Sequence, residues 1–334
     1  MKKCRFCKSR FTDSYRFCPE CGAPAPEFPT FGGKMANLFK GILFVLLFIA
    51  IQYAVSLAYS IYASFAVITP ENMNAGEETL INAAYEMYQR NVSTISIFIY
   101  ALTIIALVII FAVRKRKFSD GTGIKKFSAA AIPFALLAGL SLNYVVTSAM
   151  VFIPIPESFQ EMYDEIYSFM GEGNFIIEFI ATAILAPIVE EIVFRGLCYR
   201  YARRAFPTFV AALISGVIFG LSHGNPISFV FTTILGIILA YAYEKSGSIV
   251  PSILIHIGFN GGAYIVERSP IVWNFESISV LFLATLAASI ISCTVLFKIS
   301  KKEIPVEATP FFVQKVNPVC PPDEITDSET ETNA

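Results

Sequence analysis

Long apolar runs separated by short polar stretches dominate this sequence. A run of about 20 apolar residues is long enough to cross a bilayer as a helix. We delimit eight such runs, at 38–67, 94–113, 128–153, 174–200, 207–223, 226–243, 248–266 and 275–298. Short links join the last four, so we expect antiparallel helical neighbours there. The pattern therefore predicts an all-α polytopic membrane protein with about eight transmembrane helices in a bundle.

The same pattern divides the chain into four parts. Residues 1–24 are polar and rich in cysteine, and residues 25–37 form a Pro/Gly linker. The transmembrane bundle spans 38–298, and the Pro-rich, then acidic segment 299–334 is predicted to be a disordered tail. No internal repeat is evident, which weakens the alternative of a transporter built from two related halves.

Composition and charge agree with a membrane protein. Of the 334 residues, 55% are hydrophobic and only 15% are charged, whereas soluble domains carry about 25% charged residues. The net charge of −1 argues against nucleic acid as a partner. Lys and Arg concentrate in the segments on one side of the predicted bundle, and the intervening loops are acidic. This bias predicts a multi-pass plasma-membrane protein with both termini in the cytosol.

The cysteines near the N-terminus predict a small metal site. Ten residues separate two CxxC pairs, Cys4 with Cys7 and Cys18 with Cys21. Four thiolates in two such turns suit one tetrahedral Zn²⁺, and a fold this small needs a metal in place of a core. A pair of redox dithiols or disulfides fits a cytosolic segment less well. The stretch resembles the short zinc ribbons that precede many bacterial membrane proteins.

Ionisable and amide side chains inside predicted spans are few. Such groups are costly in lipid and indicate function or a buried pair. Those singled out as candidates for a site are Glu190, Glu191 and Arg195 in the fourth span, His223 at the end of the fifth, and His256 and Asn260 in the seventh. A single histidine or asparagine in a membrane helix often only bonds one helix to another. A bare carboxylate can likewise belong to an ion pathway.

The two adjacent glutamates differ in their expected partners. Glu191 and Arg195 are four residues apart, in the favourable order for an ion pair within one helix. Glu190 projects about 100° away from Glu191 and has no such partner. Glu190 is therefore the glutamate predicted to act in catalysis. Glu178 lies nearer the end of the span, and we interpret it as a solvated or snorkelling side chain.

Depth along the helices brings the polar groups to one level. Glu190 lies roughly 20 Å from the basic end of its helix, and His223 roughly 25 Å up the returning helix. Asn260 lies roughly 18 Å into its own span, with His256 one turn below it on the same face. The combination of these groups at matching depth on three helices favours a catalytic site over an isolated helix contact.

Two kinds of chemistry suit these residues. A carboxylate beside an imidazole in a water-poor cavity can deprotonate a water, which is the role predicted for Glu190 with His223. His256 and Asn260 could then donate hydrogen bonds to the resulting oxyanion. Glu190, His223 and His256 would equally make a three-ligand catalytic Zn²⁺ site with one open position. The chain has no HExxH helix, which excludes the common arrangement of soluble metalloproteases.

Three motifs in this order resemble those of a known family. EExxxR spans Glu190 to Arg195, FxxxH spans Phe219 to His223, and HxxxN spans His256 to Asn260. They are similar to the motifs of the CPBP intramembrane proteases. That family joins the CAAX prenyl-protein endopeptidases to bacteriocin-processing and self-immunity proteins of the Abi group. The resemblance covers about residues 128–298.

The resemblance implies a helical bundle whose polar cavity opens to the cytosol and the membrane. It assigns water activation to Glu190 with His223, and oxyanion support to His256 with Asn260. Glu191 and Arg195 would organise the site, and Phe219 would shape it. Both metal-dependent and glutamate-type mechanisms are held for this fold, so the sequence leaves that choice open.

The function expected from the sequence is that of an intramembrane endopeptidase. It would hydrolyse a peptide bond of a membrane-associated peptide or protein within or beside the lipid bilayer. The alternative is a non-catalytic scaffold of the same fold that binds a peptide or confers self-immunity to a bacteriocin.

Overall fold

The computed structural model describes residues 31–70, 76–167, 174–267 and 275–299, together with two short strands near the N-terminus. Strand β1 (Lys2–Lys3) pairs antiparallel with β2 (Arg10–Phe11). The four cysteines of the predicted ribbon and residues 300–334 of the predicted tail lie outside the described residues. The zinc ribbon therefore stays a prediction.

Everything described beyond the two strands is helix or the links between helices. The helices are α1 (Phe31–Ala66), α2 (Glu77–Val113), α3 (Phe118–Thr122), α4 (Ile132–Phe152, preceded by a 3₁₀ turn at Ala129–Ala131), α5 (Glu157–Tyr167), α6 (Phe175–Phe179), π1 (Ile180–Leu185), α7 (Ala186–Glu191), π2 (Ile192–Tyr199), α8 (Arg200–Ala205), α9 (Thr208–Leu221), α10 (Pro226–Ser246), α11 (Val250–Glu267) and α12 (Phe275–Ile299).

Five stretches of helix in the described part are long and apolar enough to cross a membrane. They are Phe31–Ala66, Glu77–Val113, Ala129–Met150, Pro226–Ser246 and Ile278–Ile299. The other three predicted spans are helical too, but their length and composition do not establish that they cross. Of these, Thr208–Leu221 is apolar but short, and the other two carry the polar residues singled out above. The structure thus confirms a helical membrane protein and leaves the number eight as a prediction.

Helices extend into segments that the hydrophobic pattern assigned to linkers and loops. Helix α1 begins at Phe31, inside the predicted linker, and α2 begins at Glu77, about five turns before the predicted span. Residues 77–93 contain no Gly or Pro and are rich in helix-forming residues, with Glu77 and Glu78 in the first turn. Helices of 36 and 37 residues are about 54 Å long, well beyond the roughly 30 Å hydrocarbon core.

Residues 175–205 are helical without a break and are called the composite helix below. They comprise α6, π1, α7, π2 and α8. Pro187 has no backbone N–H, and its ring crowds the carbonyl four residues earlier, which accounts for the widened turns of π1 just before it. The Ala186 N–H accordingly donates to the Ala181 carbonyl, five residues back. The widened turns directly precede the helix that carries both glutamates.

Helix α11 packs very closely against α4. A Cβ added at Gly139 would lie 1.8 Å from the Ile255 carbonyl oxygen, and one added at Gly258 would lie 2.2 Å from the Leu136 carbonyl oxygen. A Cβ added at Gly262, one turn beyond Gly258, would lie against the side chain of Asn143, 2.9 Å from its Cβ. Small residues let membrane helices approach backbone to backbone. This contact fixes one side of α11, and the opposite side faces the composite helix.

Candidate active site

The buried ion pair expected from the sequence spacing is present. Arg195 Nη1 donates to Glu191 Oε1 at 2.6 Å, and both side chains are fully buried. The second carboxylate oxygen of Glu191, and Nε and Nη2 of Arg195, have no hydrogen-bond partner among the described residues. The pair is therefore linked at a single point, and hydrogen-bonding capacity remains inside the site.

The Phe219 ring packs against residues of all three motifs. The Arg195 guanidinium lies over this ring, 4.4 Å from its centroid. The ring centroids of His223 and His256 lie 4.7 Å and 5.7 Å from that of Phe219, both edge to face. A cation over an aromatic face is stabilising, the more so when it is desolvated. Phe219 thus contacts a residue from each of the other two predicted motifs.

His256 lies between the two glutamates. Its Nδ1 is 3.1 Å from Glu191 Oε1, and its Nε2 is 3.7 Å from Glu190 Oε2. A carboxylate paired with Arg195 only accepts hydrogen bonds, so Nδ1 of His256 must carry the proton. Nε2 is then directed at Glu190. The separation of 3.7 Å exceeds a direct hydrogen bond, and it leaves both groups able to bind the same water.

His223 contacts the backbone near the end of α9. Its Nδ1 lies 2.9 Å from the Phe219 carbonyl oxygen, which can only accept, so Nδ1 carries the proton and Nε2 is left as the basic nitrogen. Within the described part of the chain, no carboxylate lies within 4 Å of His223. The imidazole beside Glu190 is that of His256.

Asn260 bonds to the composite helix. Its Nδ2 donates to the Thr182 carbonyl oxygen at 2.9 Å. In the widened register of π1, that carbonyl would pair with residue 187, which is a proline without an N–H. The Asn260 amide supplies the missing donor. Its contact in this structure is therefore with the backbone, one turn beyond His256 on α11.

Three groups in or near the site were missed or misplaced by sequence reasoning. Glu178, predicted to be solvated, is 4% exposed and accepts a hydrogen bond from Tyr264 Oη at 3.2 Å. The contact between Glu178 and Tyr264 could not be predicted from the sequence, because the two residues are 86 positions apart. Tyr100 of α2 also lies close enough to Glu190 to interact electrostatically. A tyrosine in an apolar run carries no signal of such a contact.

The donor set does not fit a catalytic metal. Among the residues described, no group of three or more His, Cys, Asp or Glu side chains could hold a metal ion. Glu190 and His256 provide two donors, whereas a catalytic zinc site uses three protein ligands. The chemistry proposed below is therefore assigned to side chains alone.

The geometry joins a buried ion pair, two imidazoles and Glu190, which has no Lys or Arg partner within 4 Å among the described residues. Glu190 remains 16% exposed at its side chain, unlike Glu191.

Residues 172–262 match the family model of the Rce1-like type II CAAX prenyl endopeptidases. All seven residues of the three motifs lie within this match, and α1, α2, α4 and α12 lie outside it.

A curated relative gives the same indication. The chain is 32% identical over 92 residues to a protein of Bacillus subtilis (strain 168) named "Putative membrane peptidase YdiL". The alignment covers 28% of this chain and 38% of that relative. No solved structure matches the chain. The chain spans well under half of that relative, and the family match lies on the composite helix and on helices α9 to α11.

Proposed function

We propose that this protein is an intramembrane endopeptidase that hydrolyses a peptide bond of a membrane-associated protein or peptide. The observation that carries the proposal is the position of Glu190. Its carboxylate lies 3.7 Å from the His256 ring and its side chain is 16% exposed, whereas its neighbour Glu191 is fully buried against Arg195. One glutamate is thus available for chemistry because the other one takes the structural role.

In the proposed reaction, Glu190 accepts a proton from a water held beside His256. The water oxygen bonds to the carbonyl carbon of the substrate peptide, and the C–N bond then breaks. The proton on Glu190 passes to the leaving amine nitrogen, so that atoms and charge balance. With the proton on Nδ1, the Nε2 atoms of His256 and His223 accept hydrogen bonds and can orient the attacking water through its O–H bonds. An imidazole that takes up a proton at Nε2 could then donate to the oxygen of the tetrahedral intermediate.

Glu191 and Arg195 support this reaction without taking part in it. Glu191 fixes the tautomer of His256 through Nδ1, as a carboxylate orients the histidine in other hydrolases. Arg195 balances the charge of Glu191 and stacks on Phe219. Asn260 holds α11 against the composite helix through the Thr182 carbonyl, and it could support the oxyanion only after giving up that contact.

The substrate class follows from the membrane position of the site. A site within a membrane-embedded helical bundle favours a peptide that is itself held at the membrane. Prenylated proteins are the substrates named by the matched family. For this chain we propose the broader class, maturation or degradation of membrane-associated peptides. We also propose a plasma-membrane location with both termini in the cytosol, supported by the bias of Lys and Arg.

The experiment compares membrane peptides from cells that carry the wild type, Glu190→Gln or Glu86→Gln. Glu86 is an exposed residue of α2, so the second variant makes the same chemical change away from the site. N-terminal mass spectrometry should find cleavage products with the wild type and Glu86→Gln, and none with Glu190→Gln. A biological activity untouched by Glu190→Gln and by His223→Ala would instead support the non-catalytic scaffold.

A further inference from the structure

Three polar side chains of α11 recur at every fourth residue and face the composite helix. They are His256, Asn260 and Tyr264. Each four-residue step turns the helix by only about 40° beyond a full turn, so the three share one face. The first two belong to the HxxxN motif. Tyr264 extends the same face by one more turn, just past the region that matches the family.

The hydrogen bond made by Tyr264 is buried, and two aromatic rings pack against the Tyr264 ring. Tyr264 is 3% exposed, and its hydroxyl donates to the Glu178 carboxylate at 3.2 Å. The rings of Phe175 and Phe179 lie 5.9 Å and 5.4 Å from the Tyr264 ring. A hydrogen bond to a carboxylate is stronger where water is excluded. Loss of the Tyr264 hydroxyl would remove one hydrogen-bond donor from the buried Glu178 carboxylate.

The side of α11 that faces α4 sets the distance between the two helices. Gly139 and Gly258 let the backbones approach there, and Ile255 and Phe259 of α11 are buried in one cluster with alanines of α4. These are apolar contacts, which carry no directional hydrogen bond. The directional contacts that the structure describes between α11 and the composite helix lie on the polar face of α11, where they can orient His256.

We propose that Glu178 and Tyr264 are a positioning pair that sets the rotation of α11 and so holds the His256 ring between Glu190 and Glu191. The pair acts through the helix, because Tyr264 lies eight residues, or about 12 Å, from His256. It touches neither the reacting water nor the substrate. The inference rests on the proposed role of His256, but its test observes the imidazole directly.

The chain makes this test simple, since it contains only two histidines. Protein labelled with ¹⁵N in its histidine rings gives signals from His223 and His256 alone, and His223→Gln assigns them. In the wild type, His256 should show one tautomer with the proton on Nδ1. Tyr264→Phe removes a single oxygen atom and should convert the His256 signals to a mixture of tautomers. The His223 signals should stay in place.

Tyr199→Phe is the matched control. Tyr199 is also buried and donates to a carboxylate, Glu244 Oε2 at 2.8 Å, but it does not lie on α11. This control should leave the His256 signals unchanged. Glu178→Gln keeps an acceptor oxygen and should retain the wild-type signals, whereas Glu178→Leu should change them as Tyr264→Phe does.

Turnover provides a second measurement once a cleaved peptide is known. Tyr264→Phe should lower kcat about tenfold, the effect of one charge-assisted hydrogen bond, with little change in KM. Wild-type His256 signals in both Tyr264→Phe and Glu178→Leu would overturn the proposal. So would an equal change of those signals in Tyr199→Phe. Neither result depends on whether the protein cleaves anything, so a failure here is separate from a failure of the proposed function.

Discussion

Two neighbouring glutamates take different roles because one residue four positions away is an arginine. Glu191 reaches Arg195 within its own helix, and that pair leaves only Glu190 for chemistry. The same local spacing made the ion pair predictable from the sequence. The position of His256 was not predictable in the same way, because it depends on how α11 packs against the composite helix.

Breaking the buried ion pair should therefore cost much more stability than removing the catalytic charge. Arg195→Met leaves Glu191 buried without its cation, and we expect the free energy of unfolding to fall by about 3–5 kcal/mol. Glu190→Gln should change it by less than about 1 kcal/mol. Thermal unfolding in detergent micelles measures both.

The double variant Glu191→Gln with Arg195→Met serves as the check on this reasoning. It removes both charges and should recover part of the stability lost in Arg195→Met, although the contact of Glu191 with His256 is weakened as well. Equal losses of stability for Glu190→Gln and Arg195→Met would show that the two glutamates do not divide their roles in this way.

At the scale of helices, glycines decide how close α11 comes to its neighbours. Gly139 and Gly258 leave no room for a Cβ, since the nearest atoms belong to the facing backbone. Gly261, on the same helix α11, has nothing within 4 Å of its added Cβ. The chain thus offers a sensitive position and an insensitive one that are three residues apart.

Gly258→Ala should push α11 away from α4 and destabilise the protein by about 1–3 kcal/mol, the usual effect of overpacking. Gly261→Ala should be neutral or stabilising by up to about 1 kcal/mol, because alanine favours the helix. Unfolding midpoints of the two variants in detergent test this contrast. Equal destabilisation by both substitutions would contradict the close packing of α11 on α4.

Helix ends were harder to predict than the helices themselves. Hydropathy marked the apolar centres of all eight predicted spans, and helices cover each of them. It could not mark α5 or the polar first half of α2, because residues outside the bilayer need not be apolar to form a helix. The widened turns of π1 were not predicted either, although Pro187, which accounts for them, is visible in the sequence.

For the whole molecule, the residues proposed to act in catalysis come from one part of the chain, and helices from outside that part pack around them. The match to the family model ends at residue 262, yet α4 packs on α11, and Tyr100 of α2 lies near Glu190. Such contacts between distant segments could not be predicted from spacing. The motifs were predictable because each lies within a single helix or at its end.

The N-terminal cysteines lead to a prediction about the intact chain. We expect one bound Zn²⁺ per molecule, held by Cys4, Cys7, Cys18 and Cys21, because thiolates at this spacing suit a closed tetrahedral site. Metal analysis of the purified full-length protein should find this zinc. Replacement of Cys18 and Cys21 by serine should abolish it, whereas replacement of the isolated Cys293 should not.

Cleavage of the membrane substrate should survive the loss of this zinc, since the proposed reaction is carried by Glu190 and the two imidazoles. A wild-type protein without zinc would refute the ribbon. A second zinc that persists in the Cys18→Ser, Cys21→Ser variant and disappears with His256→Ala would contradict the side-chain mechanism instead. In that case Glu190, His223 and His256 would have to move together to bind the metal, because the described residues contain no group of three or more His, Cys, Asp or Glu side chains placed to hold one.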